Sequence, residues 1–262
     1  MNGNSSWRKY SWHLIDGGPQ PPAMHMALDE VLTRYVGAGK RPPTLRFWRW
    51  SAPAVILGRF QSVRNEVDEE TAGQLGIQVV RRMTGGGAMF VEPDNAITYS
   101  IYTPPELVAG ISSVGSYAFF DEWVIEALRS LGIDAWYEPI NDITSSNGKI
   151  GGAAQARKPG AVLHHVTMSY EMDAAKMLRV LRIGQEKVSD KAIQSVEKRV
   201  GPLRHQTQLP REEIIQRMIS TFAKRNTEGG LVEDSIAPEE LAEAKELERT
   251  RYGTREWTYL IP

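Results

Sequence analysis

The stretch Arg81-Arg82-Met83-Thr84-Gly85-Gly86-Gly87-Ala88-Met89-Phe90 carries three successive glycines between two apolar segments. Residues 77–80 and 88–91 each have the composition of a short β-strand. Glycine has no Cβ and tolerates positive φ, so a ligand can come close to its backbone N–H groups. The two arginines add a fixed positive charge that can bind a phosphate or a carboxylate. The stretch therefore predicts a strand–loop–strand unit on which an anionic, elongated ligand lies against the backbone.

This loop differs from the standard nucleotide-binding loops, whose glycines lead into a helix with its N-terminus at the phosphate. Here the glycines lead into a second strand. The two Gly-Lys pairs, Gly39-Lys40 and Gly148-Lys149, are followed by Arg41 and Ile150 instead of Ser or Thr. Neither a P-loop nor a dinucleotide-binding fingerprint is present.

Apolar residues recur at helical spacing on both sides of a strand-rich region. Helices are predicted over 24–36, 117–131, 174–181, 211–224 and 238–249, with Ser116 as the N-cap of the second. Strands are predicted over 45–50, 54–58, 77–83, 88–91, 97–102 and 161–171. Because the strands cluster early and the helices bracket them, we expect a mixed α/β (α+β) fold with a largely antiparallel sheet flanked by helices.

The composition is that of a globular protein and excludes several classes. The chain has 262 residues, of which 41% are hydrophobic and 24% charged, and its formal net charge is −1. We expect one domain over 1–262 and no nucleic-acid partner. No apolar run approaches the roughly 20 residues that span a bilayer, and the N-terminus lacks a signal-peptide core. These features predict a cytoplasmic protein without a membrane partner.

The chain contains no cysteine. Disulfides, thiolate zinc sites and cysteine nucleophiles are therefore excluded. Covalent chemistry must use another nucleophile, or the reaction must proceed by direct transfer.

A second glycine-rich segment runs from Asn141 to Gln155 and combines a polar turn, Lys149, two glycines and small residues. A lysine beside bare backbone can reach into a ligand site as a mobile point charge. Taken alone, Lys149 is more typical of a solvated turn, and one glycine run is more typical of a hairpin or bulge. The pairing of the two segments, one with arginines and one with a lysine, is what indicates a site.

The quoted stretch 81–90 resembles the RRxTGGGxxF signature of lipoate–protein ligases. Asn141-Asp142-Ile143 followed by Gly148-Lys149-Ile150-Gly151-Gly152-Ala153-Ala154-Gln155 resembles the lysine segment of the same family. Weaker similarity lies in Ala27-Leu28-Asp29-Glu30 and in Val55-Ile56-Leu57-Gly58-Arg59-Phe60-Gln61. The resemblance covers about 14–171.

The resemblance implies the catalytic fold that lipoate ligases share with biotin–protein ligases and class II aminoacyl-tRNA synthetases. It implies an ATP-dependent ligase that activates lipoate as lipoyl-AMP, with Mg²⁺, and transfers the lipoyl group to a carrier lysine. The carrier would be the lipoyl domain of a 2-oxoacid dehydrogenase E2 or a glycine-cleavage H-type protein. Because the chain leaves no room for the family's C-terminal accessory domain, we expect a separate accessory protein.

The resemblance also implies site residues by motif match. ATP or the adenylate would be held by Arg82, Gly87, Ala88, Met89, Phe90, Asp142 and Lys149. Lipoate would lie along Thr84, Gly85, Gly86, Gly87, Lys149, Gly151 and Gly152. Lys149 is the implied catalytic residue, and its charge with that of Arg82 would offset the repulsion between a carboxylate and an α-phosphate.

Other polar residues leave alternatives open. Asp142 suits Mg²⁺ or the adenylate, and equally suits capping its own turn. His164 and His165 lie on opposite faces of a predicted strand, so they cannot share one metal, and we assign them no catalytic role. Asp29 and Glu30 are interpreted as a solvated helix face.

Three other functions remain to be weighed. An octanoyl or lipoyl transferase of the same superfamily would use a cysteine nucleophile, so the absence of cysteine disfavours it. Biotin ligation would share the fold but has a different glycine loop. A non-catalytic module that binds a lipoyl group or a nucleotide would explain the missing accessory domain.

Overall fold

The computed structural model describes residues 4–182 and 200–262, which form two β-sheets covered by helices. The strands, in chain order, are β1 His13–Asp16, β2 Thr44–Trp48, β3 Ala54–Leu57, β4 Gln78–Arg81, β5 Met89–Val91, β6 Ala96–Thr103, β7 Ala135–Glu138, β8 Asp142–Ser145, β9 Gly148–Lys158, β10 Ala161–Ser169 and β11 Val232–Glu233. The helices are α1 Asn4–Trp7, α2 Pro22–Gly37, α3 Val63–Glu66, α4 Glu69–Gln74, α5 Ser113–Ser130, α6 Ala174–Val180, α7 Arg211–Asn226, α8 Pro238–Leu247 and α9 Arg255–Thr258. Short 3₁₀ turns cover Pro105–Val108 and Leu203–His205, and a π-helical turn covers Glu248–Tyr252.

The larger sheet has eight strands in the order β11-β1-β2-β6-β10-β9-β8-β7. All pairs from β2 to β7 are antiparallel, whereas β1 runs parallel to both of its neighbours. The expectation of a mixed fold with a largely antiparallel sheet flanked by helices is confirmed.

The smaller sheet has three strands in the order β4-β3-β5. β4 and β5, the two strands on either side of the glycine run, do not pair with each other, because β3 lies between them. The glycine run is therefore a connection across the end of β3 and not a simple hairpin. This arrangement places the loop at one end of the sheet, next to the β3–α3 connection.

The long helices form where the sequence pattern predicts them. α2 begins with Pro22 at its first position, which suits a residue without an N–H, and its apolar stripe is buried. α5 begins earlier than predicted, because Ser112 and not Ser116 accepts the hydrogen bond from the N–H of Gly115. Gly132, with φ of 81°, follows its end in a conformation that favours glycine.

The segment 141–155 contains more strand than its glycines suggested. β8 and β9 form an antiparallel hairpin around a turn at 146–147, and β9 extends for 11 residues. Glycine disfavours strands in isolation, but here Gly151 lies so close to β10 that a Cβ would be 2.7 Å from the carbonyl oxygen of Thr167. Strand pairing on both sides of β9 overrides the low intrinsic propensity.

Both faces of the larger sheet are buried. One face packs against α5 and α7 through an aromatic cluster in which Trp123 and Phe222 meet with ring centroids 5.0 Å apart. The other face packs against α2, which also contacts the C-terminal segment through residues such as Tyr252 and Trp257. The site described below lies on this second side, between the two sheets.

Arg81 anchors the C-terminal segment to the smaller sheet. Its fully buried guanidinium donates to backbone carbonyls on both sides, including those of Gly58 and Gln61 in the loop after β3 and of Thr258 near the C-terminus. Trp257 donates its indole N–H back to the carbonyl of Arg81. A single side chain thus replaces several backbone partners that these irregular segments lack.

Replacing Arg81 by Lys is expected to destabilise the protein by about 2–4 kcal/mol, because three ammonium donors cannot reproduce the guanidinium fork and buried carbonyls lose their partners. Urea unfolding measures the change. The matched control is Arg249→Lys, since exposed Arg249 pairs with Glu246 on the same helical turn and the expected change is below about 0.5 kcal/mol. Equal effects of the two substitutions would contradict this role of Arg81.

Candidate functional site

A cavity of about 360 Å³ lies between the glycine loop and β5 on one side and β9 and β10 on the other. Its volume is at the lower end of the range of roughly 300–1,000 Å³ that is typical of small-molecule sites. Both glycine-rich segments line it, Gly86 and Gly87 from one sheet and Gly151 and Gly152 from the other. Two segments more than 60 residues apart therefore meet at one ligand-sized space, as their pairing in the sequence predicted.

The floor of the cavity is apolar and buried. Met26 of α2, Trp48 at the end of β2 and Ile56 of β3 are each no more than 4% exposed. The indole N–H of Trp48 donates to the hydroxyl of Ser100, so the ring is fixed. This floor suits a hydrocarbon chain and offers little to a charged group.

The rim of the cavity is polar and partly exposed. Lys149 and Glu92 line it, together with Glu171 and Asp173. The Nζ of Lys149 lies 2.8 Å from Oδ1 of Asp142, and 47% of the Lys149 side chain is exposed. Its ammonium is therefore held near the opening by one carboxylate and remains within reach of a ligand. Glu92 is similarly paired with Lys176, at 2.6 Å.

Arg82 lines the cavity but is almost fully buried. Its guanidinium donates to the carbonyl oxygens of Ile56, Gly85 and Gly87, and its Nε also donates to the hydroxyl of Thr84. No carboxylate pairs with it among residues 4–182 and 200–262. Burial lowers the pKa of the guanidinium to about 10, which still leaves it charged at neutral pH. Arg82 is thus an unneutralised cation whose donors are bound to the glycine loop.

Close packing fixes the conformation of this loop. Gly86 has φ of 94°, a conformation that favours glycine, and a Cβ there would lie 2.9 Å from Nη2 of Arg82. A Cβ at Gly58 would lie 2.0 Å from the carbonyl oxygen of Gly86. Glycine is therefore required at both positions for the backbone segments to approach each other.

A buried hydrogen-bond chain runs from the glycine loop to α2. Oγ1 of Thr84 lies 2.8 Å from Nε2 of His165, and Nδ1 of His165 lies 2.7 Å from Oδ2 of Asp29. Since a carboxylate only accepts, Nδ1 carries the proton and Nε2 accepts from Thr84. Burial lowers the pKa of His165, so the imidazole is neutral near pH 7. The hydroxyl of Thr84 is enclosed in this chain and does not line the cavity.

The carboxylate of Asp29 also accepts hydrogen bonds from residues of the larger sheet. Its Oδ1 accepts from the hydroxyls of Ser100 and Tyr102, at 2.9 and 2.5 Å, and Nη1 of Arg46 lies 3.7 Å away. The interpretation of Asp29 as part of a solvated face is wrong, because its side chain is 3% exposed. Asp29 follows Met26 by three residues and therefore lies on the buried stripe of α2. This spacing was the sequence feature that could have predicted its burial.

The two adjacent histidines lie on opposite faces of β10, as alternation predicts. His165 lines the cavity, whereas His164 lies on the other face, where Nε2 is 2.8 Å from buried Asp121. Sequence analysis assigned neither a role, and His165 is a candidate site residue that it missed.

The residues predicted from the motifs fall into two sets. Those that line the cavity are Arg82, Gly86, Gly87, Ala88, Met89, Phe90, Lys149, Gly151 and Gly152. Thr84 and Gly85 lie behind this surface and bind His165 and Arg82, and Asp142 binds Lys149.

No cluster of three or more His, Asp or Glu side chains suited to a metal ion occurs in the part of the chain that the structure describes. Within the same residues, no helix is both long and apolar enough to cross a membrane.

Comparisons with known proteins agree with this geometry. Residues 21–223 match the model of the lipoyl protein ligase A/B catalytic domain. The octanoyltransferase LipM of Geobacillus kaustophilus is 30% identical over 278 residues, covering 96% of this chain and 99% of that protein. A bi-partite lipoate protein ligase of Thermoplasma acidophilum, solved with its E2 lipoyl domain, superposes with a TM-score of 0.83 at 28% identity, covering 97% and 98% of the two chains. A lipoate-protein ligase A bound with ATP has a TM-score of 0.81 at 28% identity, covering 95% and 98%.

These comparisons correct the expected reaction. The expectation of an ATP-dependent lipoate–protein ligase is wrong, because curated relatives that cover nearly the whole chain are octanoyltransferases. The absence of cysteine was too strong an argument against a transferase. It excludes one intermediate, the acyl-cysteine, and does not exclude acyl transfer itself.

Stability is expected to fall as the pH drops below about 6.5, because burial lowers the pKa of both His25 and His165. Below this pH the two histidines bind protons in the unfolded chain but not in the folded protein. The loss of stability therefore begins near the histidine pKa of the unfolded chain and grows as the pH falls towards the lower pKa of the folded protein. Urea unfolding between pH 7.5 and 5 measures it. In the variant His25→Gln, the slope of the free energy of unfolding against pH should be smaller by up to about 1.4 kcal/mol per pH unit.

The matched control for this measurement is His205→Gln, since His205 is exposed. Its pH profile should remain parallel to that of the unmodified protein. A parallel profile for His25→Gln as well would contradict the contribution of the buried imidazole.

Proposed function

The chain belongs to the lipoyl protein ligase A/B catalytic-domain family, as its two motifs predicted, and we propose that it transfers an octanoyl group to a lysine of a lipoyl carrier domain. Enzymes of this family carry out acyl transfer. The observation that carries the proposal is the single cavity with an apolar floor and a cationic rim, in a chain whose curated relatives are octanoyltransferases. We further infer that residues 1–262 act as one catalytic unit, since both sheets contribute walls to this cavity.

The shape of the cavity supports an elongated acyl chain. Met26, Trp48 and Ile56 form a closed, buried end, whereas Lys149 lies at the open end. An eight-carbon chain would bury its methylenes against the floor, at about 0.8 kcal/mol for each CH₂ removed from water. The carbonyl group would then lie near the glycine loop and Lys149, where the acceptor lysine can enter.

The absence of cysteine favours direct transfer. In the proposed reaction the unprotonated Nζ of the carrier lysine attacks the carbonyl carbon of an octanoyl thioester. A C–N bond forms, the C–S bond breaks, and the thiolate takes up the proton that the amine loses. The acceptor is a lipoyl domain, as in the archaeal ligase solved with its E2 lipoyl domain, or an H-type carrier.

Positive charge at the site would help this attack. Only about one in a thousand free lysines is unprotonated at neutral pH. A neighbouring cation disfavours an ammonium ion, so Lys149 would raise the neutral fraction of the incoming lysine. Lys149 would also stabilise the negative charge that develops on the carbonyl oxygen, and Asp142 would hold Lys149 in position.

Replacing Lys149 by Ala is expected to lower the rate of carrier acylation at least 100-fold, because the transition-state charge loses its cation. The assay incubates the protein with an octanoyl thioester and an apo lipoyl domain, and mass spectrometry measures the gain of one octanoyl group on the carrier lysine. The matched control is Lys158→Ala, at the exposed end of the same strand, which should retain the full rate.

Parallel reactions supply octanoate or lipoate with ATP and Mg²⁺ in place of the thioester, and record pyrophosphate release. Acylation that depends on ATP, with no acylation from the thioester, would overturn the proposal. Absence of acylation from every donor would indicate a non-catalytic binding module. A variant Lys149→Ala with full activity and an unchanged melting temperature would remove Lys149 from the mechanism.

A further inference from the structure

The glycine loop presents backbone donors that nothing in the described structure uses. The N–H groups of Gly86 and Ala88 donate to no residue within 4–182 and 200–262. Both residues line the cavity. Gly86 is exposed and Ala88 is half-buried, so both N–H groups are accessible to a ligand that enters this space.

Arg82 determines which way these two donors face. In a trans peptide the carbonyl of one residue and the N–H of the next point in opposite directions. The carbonyl oxygens of Gly85 and Gly87 accept from Nη2 of Arg82, at 2.6 and 2.9 Å. The N–H groups of the same two peptides, those of Gly86 and Ala88, therefore face away from the buried guanidinium. Gly86 and Ala88 line the cavity from the glycine loop.

The charge of Arg82 reinforces this arrangement. The guanidinium is buried and has no carboxylate partner among the described residues, so its field acts on the two peptides that it binds. A cation at the carbonyl end polarises each peptide and makes its N–H a stronger donor. The loop therefore offers two aligned donors backed by a buried positive charge.

We propose that the N–H groups of Gly86 and Ala88 form the oxyanion hole of the acyl transfer, and that Arg82 is the positioning residue that aims them. This inference rests on the proposed function. When the carrier lysine attacks, the C=O bond becomes C–O⁻ in the tetrahedral intermediate, and both N–H groups bind that oxygen until C–S cleavage restores the carbonyl. Arg82 acts through the two peptides, whose carbonyl oxygens its Nη2 binds.

The first test is the structure of the full protein with the ketone analogue of the octanoyl thioester, in which CH₂ replaces sulfur and no reaction can occur. The carbonyl oxygen is expected about 2.7–3.1 Å from the backbone N atoms of Gly86 and Ala88. A ketone bound in the cavity with its oxygen elsewhere would overturn the oxyanion hole alone. A ketone that does not enter the cavity would overturn the proposed function.

The second test is the variant Arg82→Lys, which keeps a positive charge but cannot bind both peptides in the same fork. Its kcat should fall about 100-fold or more, while KM for the octanoyl thioester stays within about threefold, because ground-state binding of the chain is retained. A purely structural role predicts instead a lowered melting temperature with kcat per folded molecule unchanged. That result would overturn the positioning role.

The matched control is Arg64→Lys, in the exposed helix α3 outside the cavity, which should leave both constants unchanged. If Arg82→Lys does not fold, Gly86→Ala provides a second variant. A Cβ at this position of positive φ would lie 2.9 Å from Nη2 of Arg82 and would turn the Gly86 N–H away. Its kcat should fall by the same order, and an unchanged kcat would overturn the proposal.

Discussion

The guanidinium of Arg82 is the charge around which the candidate site is built. It lies buried at the junction of the two sheets and donates hydrogen bonds to the carbonyl oxygen of Ile56 of β3 and to carbonyl oxygens of the glycine loop. Removing a cation from water costs several kcal/mol even after relaxation, and no described carboxylate offsets that cost here. A buried charge of this kind is tolerated where its field serves a ligand or a transition state. The guanidinium is one of the groups that fix the loop, since glycines add no side-chain packing of their own.

The second constraint is the carboxylate of Asp29 in α2, which joins this helix to β6, β10 and the glycine loop. It binds His165 of β10 and the hydroxyls of Ser100 and Tyr102 of β6, and through His165 it reaches Thr84 beside the glycine loop. Helix α2, the larger sheet and the loop are thereby fixed relative to one another by charge-assisted hydrogen bonds. Such a network is rigid because each member would be costly to leave unpaired in the interior. One member, His165, lines the cavity, and through Thr84 the network binds the start of the glycine loop.

The family supports more than one acyl chemistry on this framework. The chain is similar both to octanoyltransferases and to lipoate ligases, at about 30% identity in each case and over nearly its whole length. What differs between such reactions is how the acyl carbonyl is activated, and the framework leaves that open. In this chain, which has no cysteine, the proposed activation comes from the thioester donor and from the electrostatics of Lys149 and the glycine loop.

The sequence by itself determined the fold class, the family and the two glycine-rich segments, because these depend on local properties. Apolar spacing specifies α2 and α5, and glycine at 85–87 and 151–152 marks backbone that a ligand or another strand approaches. Only the tertiary structure decided which polar groups serve the site. In the sequence Asp29 has the appearance of a surface residue, and the structure buries it under β6 and β10. The sequence likewise gives no sign that Arg82 donates to the carbonyls of Ile56, Gly85 and Gly87. The reason is physical: burial and hydrogen-bond partners are set by residues distant along the chain, and a local pattern carries no information about them.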